Sequence, residues 1–578
     1  MDSTNNSPLN LPEGVPLEIS EYDVPLFAML DETAEKYPNQ AYTIFQGATR
    51  TFSQVKRSAD KVAGFLQSVG VRKGDRVALF LPNIPQFPEV YFGILKAGAV
   101  CVTCNPLYTA RELNFQLKDC NTNVVFCMDH PRFYPTTVKA IENTKVNTVV
   151  ICNIKSYLPR IKGFLGGLLG KIPQADRYEN GHLLFDDAIR SAGPPSSKIE
   201  INPLEDPAMI LYSSGTTGRP KGACLTHANL VYAIRCLDEW SMIANQPNEK
   251  PDRIHRNGAH CFLGILPWYH IFGLWTTLYW PCLTGNKVVC IPDPRAGKPP
   301  LSDALRAIEQ NRVTIIPAVP TIFTALTNHP LTDSVDLSSI ICCASGAAPL
   351  PTETMARFEK KTGAIVFEGY GMSECLPISI NPTSLEGRRI GSVGIPAIGT
   401  SVKILDIDTG TKEMPQGEEG EIAVSGPQLM KEYWQRPEAN GTDFISFDGV
   451  RYFLTGDIGR IDEDGYLFIT DRKKDMILVG GFNVYPAEVE NILVSHPKVA
   501  LAAVIGISDE AGGEKVKAFI QLKPGENTTQ EEIRTFCGEQ LAGYKRPKEI
   551  EFRDELPTSI VGKIIRRKLR EEVEALSK

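Results

Sequence analysis

Along the first two thirds of the chain, short β-type apolar runs alternate with segments of helical period. Arg76-Val-Ala-Leu-Phe-Leu81 precedes a Pro-Asn turn, and Thr148-Val-Val-Ile-Cys152 and Val313-Thr-Ile-Ile-Pro317 have the same character. Strand and helix in alternation predict α/β layers built on mainly parallel sheets. After about Ile390 the texture changes to short strands and turns: Ser401-Val-Lys-Ile-Leu405, Gly420-Glu-Ile-Ala-Val424 and a hairpin turn at Asp462-Glu-Asp-Gly465. This predicts a smaller β-rich subdomain over about 390–470. Beyond Asp471 an α+β pattern returns, with helices expected at Pro486 to Ser495 and Thr529 to Leu541 and a basic tail from Lys563 to Arg570. The expected fold is therefore α/β, with a large N-terminal domain over 1–470 and a small α+β C-terminal domain over 471–578.

No run of about 18 apolar residues, the length of a membrane-spanning helix, occurs anywhere. The nearest approach is Ile161-Lys-Gly-Phe-Leu-Gly-Gly-Leu-Leu-Gly-Lys-Ile172. Lys155, Arg160, Lys162 and Lys171 accompany it, and no acid falls between Asn153 and Gln174. A basic, apolar segment fits an interfacial membrane contact. Its four glycines make it a poor helix, and a surface loop packed on its own domain is the alternative.

The 578 residues suffice for about four structural units. Hydrophobic residues at 42% and charged ones at 22% fit a folded, water-soluble chain. With 61 basic and 68 acidic residues, the net charge of −7 gives no basic footprint for nucleic acid. The fourteen cysteines mostly sit in apolar runs, as in Val288-Val289-Cys290-Ile291, and are expected as buried thiols. Cys101 and Cys104 form a C-x-x-C that has no second pair or nearby His to complete a zinc site. The polar start, Met1 to Pro8, lacks the basic and apolar regions of a signal peptide, so the cytoplasm is the expected compartment.

The most informative stretch is Leu211-Tyr-Ser-Ser-Gly-Thr-Thr-Gly-Arg-Pro-Lys-Gly222. Its glycines allow a tight turn that presents backbone N–H groups, Ser213, Ser214, Thr216 and Thr217 add hydroxyl donors, and Lys221 supplies a cation. That combination suits a polyphosphate cradle. It is not a Walker loop, because Lys221 follows Pro220 and precedes Gly222. From these residues alone, a flexible loop without ligand is the competing reading.

The segment resembles the phosphate-loop signature of the adenylate-forming superfamily: acyl- and aryl-CoA synthetases, firefly luciferase and the adenylation domains of peptide synthetases. Further segments recur in that family's order: Leu266-Pro-Trp-Tyr-His-Ile271, Ser345-Gly-Ala-Ala-Pro349, Glu368-Gly-Tyr-Gly-Met-Ser-Glu374, Leu454-Thr-Gly-Asp457, Asp471-Arg-Lys-Lys-Asp475 and Gly562-Lys563-Ile564. The resemblance spans about residues 50 to 570.

It implies an ATP site made by Ser213, Ser214, Gly215, Thr216, Thr217, Gly218 and Lys221 at the phosphates. Gly346, Ala347 and Ala348 would form one wall of the adenine slot and Gly369, Tyr370, Gly371 and Ser373 the other. Tyr370 has a ring to stack on adenine, Asp457 can accept both ribose hydroxyl protons, and Arg472 approaches the ribose or phosphate. Glu374 offers a hard oxygen for Mg²⁺. His270 borders the acyl-adenylate pocket, with Trp275 one position from a Trp gate found in fatty-acid ligases. Asp471 is the hinge of a mobile small domain, and the charged, nonpacking Asp-Arg-Lys-Lys-Asp sequence suits that role. Gly480 and Gly481 line a pantetheine tunnel for CoA.

Lys563, Glu374 and His270 are the implied catalytic set. Taken alone, Lys563 is one cation of a solvated helix face. In the family its ammonium bridges the substrate carboxylate and the α-phosphate. The segment Asp471 to Pro486 is most similar to bacterial fatty-acyl-CoA ligases. The expected activity is ATP-dependent ligation of a fatty acid to CoA, with an aryl or medium-chain acid, or transfer to a carrier protein, as the alternatives. A catalytically silent nucleotide-binding protein is the reading from another class.

Overall fold

A computed structural model describes residues 11–12, 14–213, 220–243, 252–253, 257–479, 482–509, 514–558 and 564–576. Two large sheets carry the N-terminal part. The eight-stranded sheet has six neighbouring parallel strands: Pro207–Ser213, Val100–Thr103, Arg76–Phe80, Val124–Met128, Thr148–Cys152 and Leu183–Leu184. Val100–Thr103 and Val124–Met128 are buried along their whole length, which is why they are continuous apolar runs without alternation. Lys221–Thr226 returns antiparallel beside Pro207–Ser213, and Glu432–Tyr433 closes that edge.

The nine-stranded sheet runs from Ile395–Pro396 through Cys375–Ile380, Ile365–Met372, Cys342–Ser345, Ile315–Ala318, Cys261–Gly264 and Lys287–Cys290 to the hairpin Ala41–Phe45 and Ala48–Thr51. Two expected strands lie where the apolar pattern put them, but the third starts at Ile315 instead of Val313. The reason is local. The helix Ser302–Asn311 ends on Arg312 in the left-handed region (φ 47°), and the Val313 N–H closes the cap on the Ile308 carbonyl, so Val313 is spent on ending the helix.

The β-rich part is a five-stranded antiparallel sheet of Ser401–Leu405, Gly420–Ser425, Val450–Ile461, Phe444–Phe447 and Leu467–Arg472. Its first strand is Ser401–Leu405, because Ile395–Pro396 pairs into the nine-stranded sheet. Its last strand runs to Arg472 through a turn in which Gly465 takes φ +87°.

The C-terminal part has its own apolar core, including Val489, Leu493, Val504, Ile520 and Ile533. Around it lie the strands Val499–Ser508, Glu514–Leu522 and Glu549–Phe552 and the helices Pro486–Ser495, Gln530–Gln540 and Arg566–Leu576.

Three expectations need correction or completion. The glycine-rich stretch read as a poor helix contains a nine-residue helix, Arg160–Leu168. Packing overrides propensity there, since buried Gly163 lets the helix lie close against the Lys155 carbonyl. The sequence Asp471 to Asp475 is not nonpacking: Arg472 pairs with Asp457, Lys473 with Glu421, and Asp475 with both Arg566 and Arg570. These partners lie far away in sequence. All fourteen cysteines are buried free thiols, and burial pushes Cys101 and Cys104 well above the ordinary thiol range.

Candidate active site

The site begins where two parallel strands of the nine-stranded sheet, Cys342–Ser345 and Ile365–Met372, end side by side with Ser345 opposite Glu368. Carboxyl ends of such strands are where open α/β sheets bind ligands. After Ser345 the chain turns through Gly346, Ala347 (φ +69°) and Ala348. A Cβ at Gly346 would stand 3.3 Å from both the Gly369 carbonyl and the Phe272 ring. Three separate sequence segments therefore meet at this one glycine. The Ser345 hydroxyl beside it is buried with no hydrogen-bond partner among the described residues. Glu368 is buried and accepts the Leu350 N–H at 3.0 Å, holding the far end of the loop; burial raises its carboxyl to about 7.

From Gly369 the strand continues through Tyr370 and Gly371 into a tight turn at Ser373-Glu374, with Met372 opposite Cys375. The Tyr370 hydroxyl donates to Asp457 Oδ2 at 2.5 Å, while Arg472 Nε lies 2.9 Å from Asp457 Oδ1. Asp457 and Arg472 are direct cross-strand partners. Burial and the Asp457 charge hold the Tyr370 hydroxyl well above its usual range, so it stays a donor. A carboxylate has about four acceptor positions, so these two bonds leave room for ribose hydroxyls.

At the phosphate end, Ser213 and Lys221 are the paired last and first residues of the hairpin arms. Ser214, Gly215, Thr216, Thr217 and Gly218 lie outside the described residues. Lys221 Nζ lies 2.8 Å from Asp443 Oδ2 and 4.7 Å from the centre of the Tyr433 ring. The Tyr433 hydroxyl in turn donates to Glu374 Oε1 at 2.9 Å. Tyr433 thus stands between the expected phosphate lysine and the expected metal carboxylate.

Neither Tyr433 nor Asp443 was singled out by sequence reading. They sit more than 200 residues from Lys221 and reach it through the edge pairing of Tyr433 with Ala223, which no local motif announces. Among the described residues no group of three His, Cys, Asp or Glu side chains is placed to hold a metal. Glu374 alone suits Mg²⁺, which characteristically takes one or two carboxylates plus phosphate oxygens and water.

Ser373 borders a small, mainly apolar cavity of about 10 Å³ lined also by Leu225, Leu230, Ala233, Ile271, Trp275 and Tyr279. Trp275 lies in a π-helical turn, Leu274–Tyr279, and its indole N–H donates to the Ala233 carbonyl at 2.8 Å. His270 caps the short helix that leads into this turn: its Nδ1 accepts the Phe272 N–H at 3.3 Å, which leaves Nε2 to carry the proton.

Asp471 is buried, and its Oδ2 accepts the Ala487 N–H at 2.6 Å in the first turn of the helix Pro486–Ser495. Lys563 lies outside the described residues, between Thr558 and Ile564, which bridge to one another. Gly480 and Gly481 are also outside them, between Val479 and Phe482, which pair.

A sequence model described as AMP-binding enzyme matches residues 30–434, and one described as AMP-binding enzyme C-terminal domain matches residues 488–563. A long-chain-fatty-acid–CoA ligase of Bacillus subtilis (strain 168) is 38% identical over 566 residues, covering 97% of each chain. Among solved structures, an anthranilate CoA ligase in complex with anthranoyl-AMP superposes with a TM-score of 0.81 at 29% identity, covering 96% of this chain and 98% of that one. ATP-bound MatB from Rhodopseudomonas palustris superposes with a TM-score of 0.76 at 28% identity over 96% and 100%.

Glu368 gives the site a pH signature. Its folded value of about 7 lies above the ordinary carboxyl value, so between these two the folded state binds the proton more tightly. Stability from this group is present at low pH and lost as pH rises through 7, by about 3 kcal/mol over the whole window. Glu368→Gln keeps an acceptor for Leu350 and should flatten the fall in thermal midpoint between pH 5 and pH 8. An unchanged slope in the variant would show that Glu368 does not titrate in this way.

Proposed function

The chain belongs to the AMP-binding enzyme family, and from that premise we propose that it is an ATP-dependent fatty-acid–CoA ligase working through the residues gathered around Asp457 and Glu374. The observation that carries the reading is the meeting of three things. The small-residue turn at Gly346 packs against Gly369 beside Tyr370, a cation and a carboxylate face each other across Tyr433, and a small apolar cavity opens one residue before Glu374.

In the first step a carboxylate oxygen of the acid attacks the α-phosphorus of ATP and pyrophosphate leaves, giving acyl-AMP. Tyr370 and the wall Gly346 to Ala348 hold adenine, Asp457 and Arg472 hold the ribose, and Ser213 to Lys221 hold the β- and γ-phosphates. Lys221 exchanges Asp443 for phosphate oxygens as ATP enters. Glu374, together with phosphate oxygens, would hold a Mg²⁺ ion, whose chemistry there would be to supply positive charge against the leaving pyrophosphate. His270 borders the reacting carboxyl, and Lys563 bridges the two anionic reactants.

In the second step the small domain turns about Asp471, and the CoA thiol, reaching in past Gly480 and Gly481, attacks the acyl carbonyl. The C–S bond forms as the C–O bond to AMP breaks. A peripheral lipid contact through Ile161 to Ile172 suits a substrate partitioning into membranes.

The size of the cavity favours a second reading, because about 10 Å³ is far below the usual range for ligand pockets and any acid must push its lining apart. An aryl or medium-chain acid would need less rearrangement than a long chain. AMP release with CoA across acids from C4 to C18, cinnamate and benzoate separates the two readings. Preference for long chains supports the first, preference for rings the second, and no AMP release with any acid overturns both. In the same assay, Lys563→Ala should lower acyl-AMP formation at least about a hundredfold while thioesterification of supplied acyl-AMP stays near wild type. Equal loss in both half-reactions would remove Lys563 from its role.

A further inference from the structure

The helix Arg160–Leu168 is built inside out. At about 100° per residue, Ile161, Phe164, Leu165 and Leu168 share one arc, and they are 75%, 70%, 46% and 74% exposed, with Leu169 beside them at 62%. Five of the thirteen exposed large apolar side chains among the described residues thus fall within nine consecutive positions. The opposite arc is glycine. Gly163 is buried, and a Cβ there would come 3.2 Å from the Lys155 carbonyl; at Gly166 one would come 3.1 Å from Ile172 Cγ1. An ordinary surface helix turns its large apolar residues to the core and its polar ones to water. Here residues without side chains pack down and the large apolar ones stand out.

The platform under the helix is rigid. Tyr157, in the turn just before it, donates its hydroxyl to Glu89 Oε2 at 2.5 Å. Glu89 is fully buried and pairs with Arg50 at 2.8 Å. The Lys162 ammonium donates to the Gln46 carbonyl at 2.8 Å, tying the helix to the turn after the strand Ala41–Phe45. The exposed apolar arc is therefore a fixed feature of the surface. Arg160 and Lys162 flank it on either side, Lys155 and Lys171 stand at its ends, and all four are exposed. No acid falls between Asn153 and Gln174, in a chain whose net charge is −7.

We infer that this helix is a monotopic dock for an anionic lipid surface: it lies parallel to the membrane, with Ile161, Phe164, Leu165, Leu168 and Leu169 below the headgroups and the four cations at phosphate level. Apolar residues on one arc with cations at its margins form the pattern of interfacial helices. Anionic headgroups are the complement to a segment that carries these four positive charges and no acid between Asn153 and Gln174. The purpose rests on the fatty-acid reading above, since a docked enzyme meets an acid that partitions into the bilayer at raised local concentration. The docking itself is measured without catalysis.

The test floats the full-length protein with phosphatidylcholine vesicles with and without phosphatidylglycerol, at low and high salt. Wild type should bind the anionic vesicles at low salt and release at high salt. Phe164→Asp/Leu168→Asp should weaken binding at least about tenfold. The triple change of Lys155, Arg160 and Lys171 to Gln, which keeps the Lys162–Gln46 bond, should do the same, since each cation near an anionic surface is worth about a fivefold factor. Both variants alter exposed positions and should keep the wild-type thermal midpoint and turnover of a detergent-solubilised acid.

Failure of wild type to bind anionic vesicles, or equal binding by both variants, overturns the dock. So does a wild-type dimer in sedimentation that Phe164→Asp/Leu168→Asp dissolves, which would assign the face to a second copy. Vesicle binding without turnover of any fatty acid would support the dock and remove the substrate assigned above.

Discussion

The carboxylate of Asp457 ties the nine-stranded sheet to the last strand of the five-stranded sheet, one residue from the contact that leads into the C-terminal part. A buried charge is tolerated only when paired and hydrogen-bonded, and Asp457 meets that demand with one neighbour from each side. Tyr370 comes from the nine-stranded sheet, and Arg472 comes from the last strand of the five-stranded sheet. The antiparallel register sets Asp457 opposite Arg472, so the pair is built into the ladder. The next residue back, Asp471, reaches the first turn of the C-terminal helix Pro486–Ser495 through Ala487. The slot wall, the ribose acceptor and the start of the small domain are thus fixed relative to one another within a few residues.

The phosphate end follows a different logic, one of exchangeable partners. Lys221 and Asp443 are each about a quarter exposed, and pairs of that kind contribute only about 0–1 kcal/mol. A triphosphate offers several charges at once, so trading Asp443 for phosphate is favourable. Tyr433 is the fixed element between them, with its ring against the lysine and its hydroxyl on Glu374. In the proposed reading the buried pair would position the nucleoside, whereas the weak, quarter-exposed one would receive the charge that arrives with it.

Much of this was legible in the sequence for a physical reason. Strands buried on both faces must be continuous apolar runs, and Arg76–Phe80 and Thr148–Cys152 could be read as such. The segments around Lys221, Gly346, Tyr370 and Asp457 were picked out through their joint resemblance to the adenylate-forming family, since the residues of each one alone also suit an ordinary turn. Features set by distant partners were hidden. Asp443 and Tyr433 join the site through an edge pairing. The run Asp471 to Asp475 looked unpacked because its counter-charges lie at Glu421, Asp457, Arg566 and Arg570. The helix Arg160–Leu168 defied its glycine content because those glycines are contact surfaces, and propensity gives way to packing.

The central claim is that the nucleotide site is assembled on Asp457, and calorimetric titration of ATP into wild type and Asp457→Asn tests it most directly. The substitution keeps the shape and removes the charge that Tyr370, Arg472 and the ribose share. Hydrogen bonds to a charged group are worth about 1.5–3 kcal/mol, so ATP affinity should fall about tenfold or more while the thermal midpoint of the C-terminal part stays unchanged. Wild-type affinity in Asp457→Asn, with the fold intact, would contradict the account.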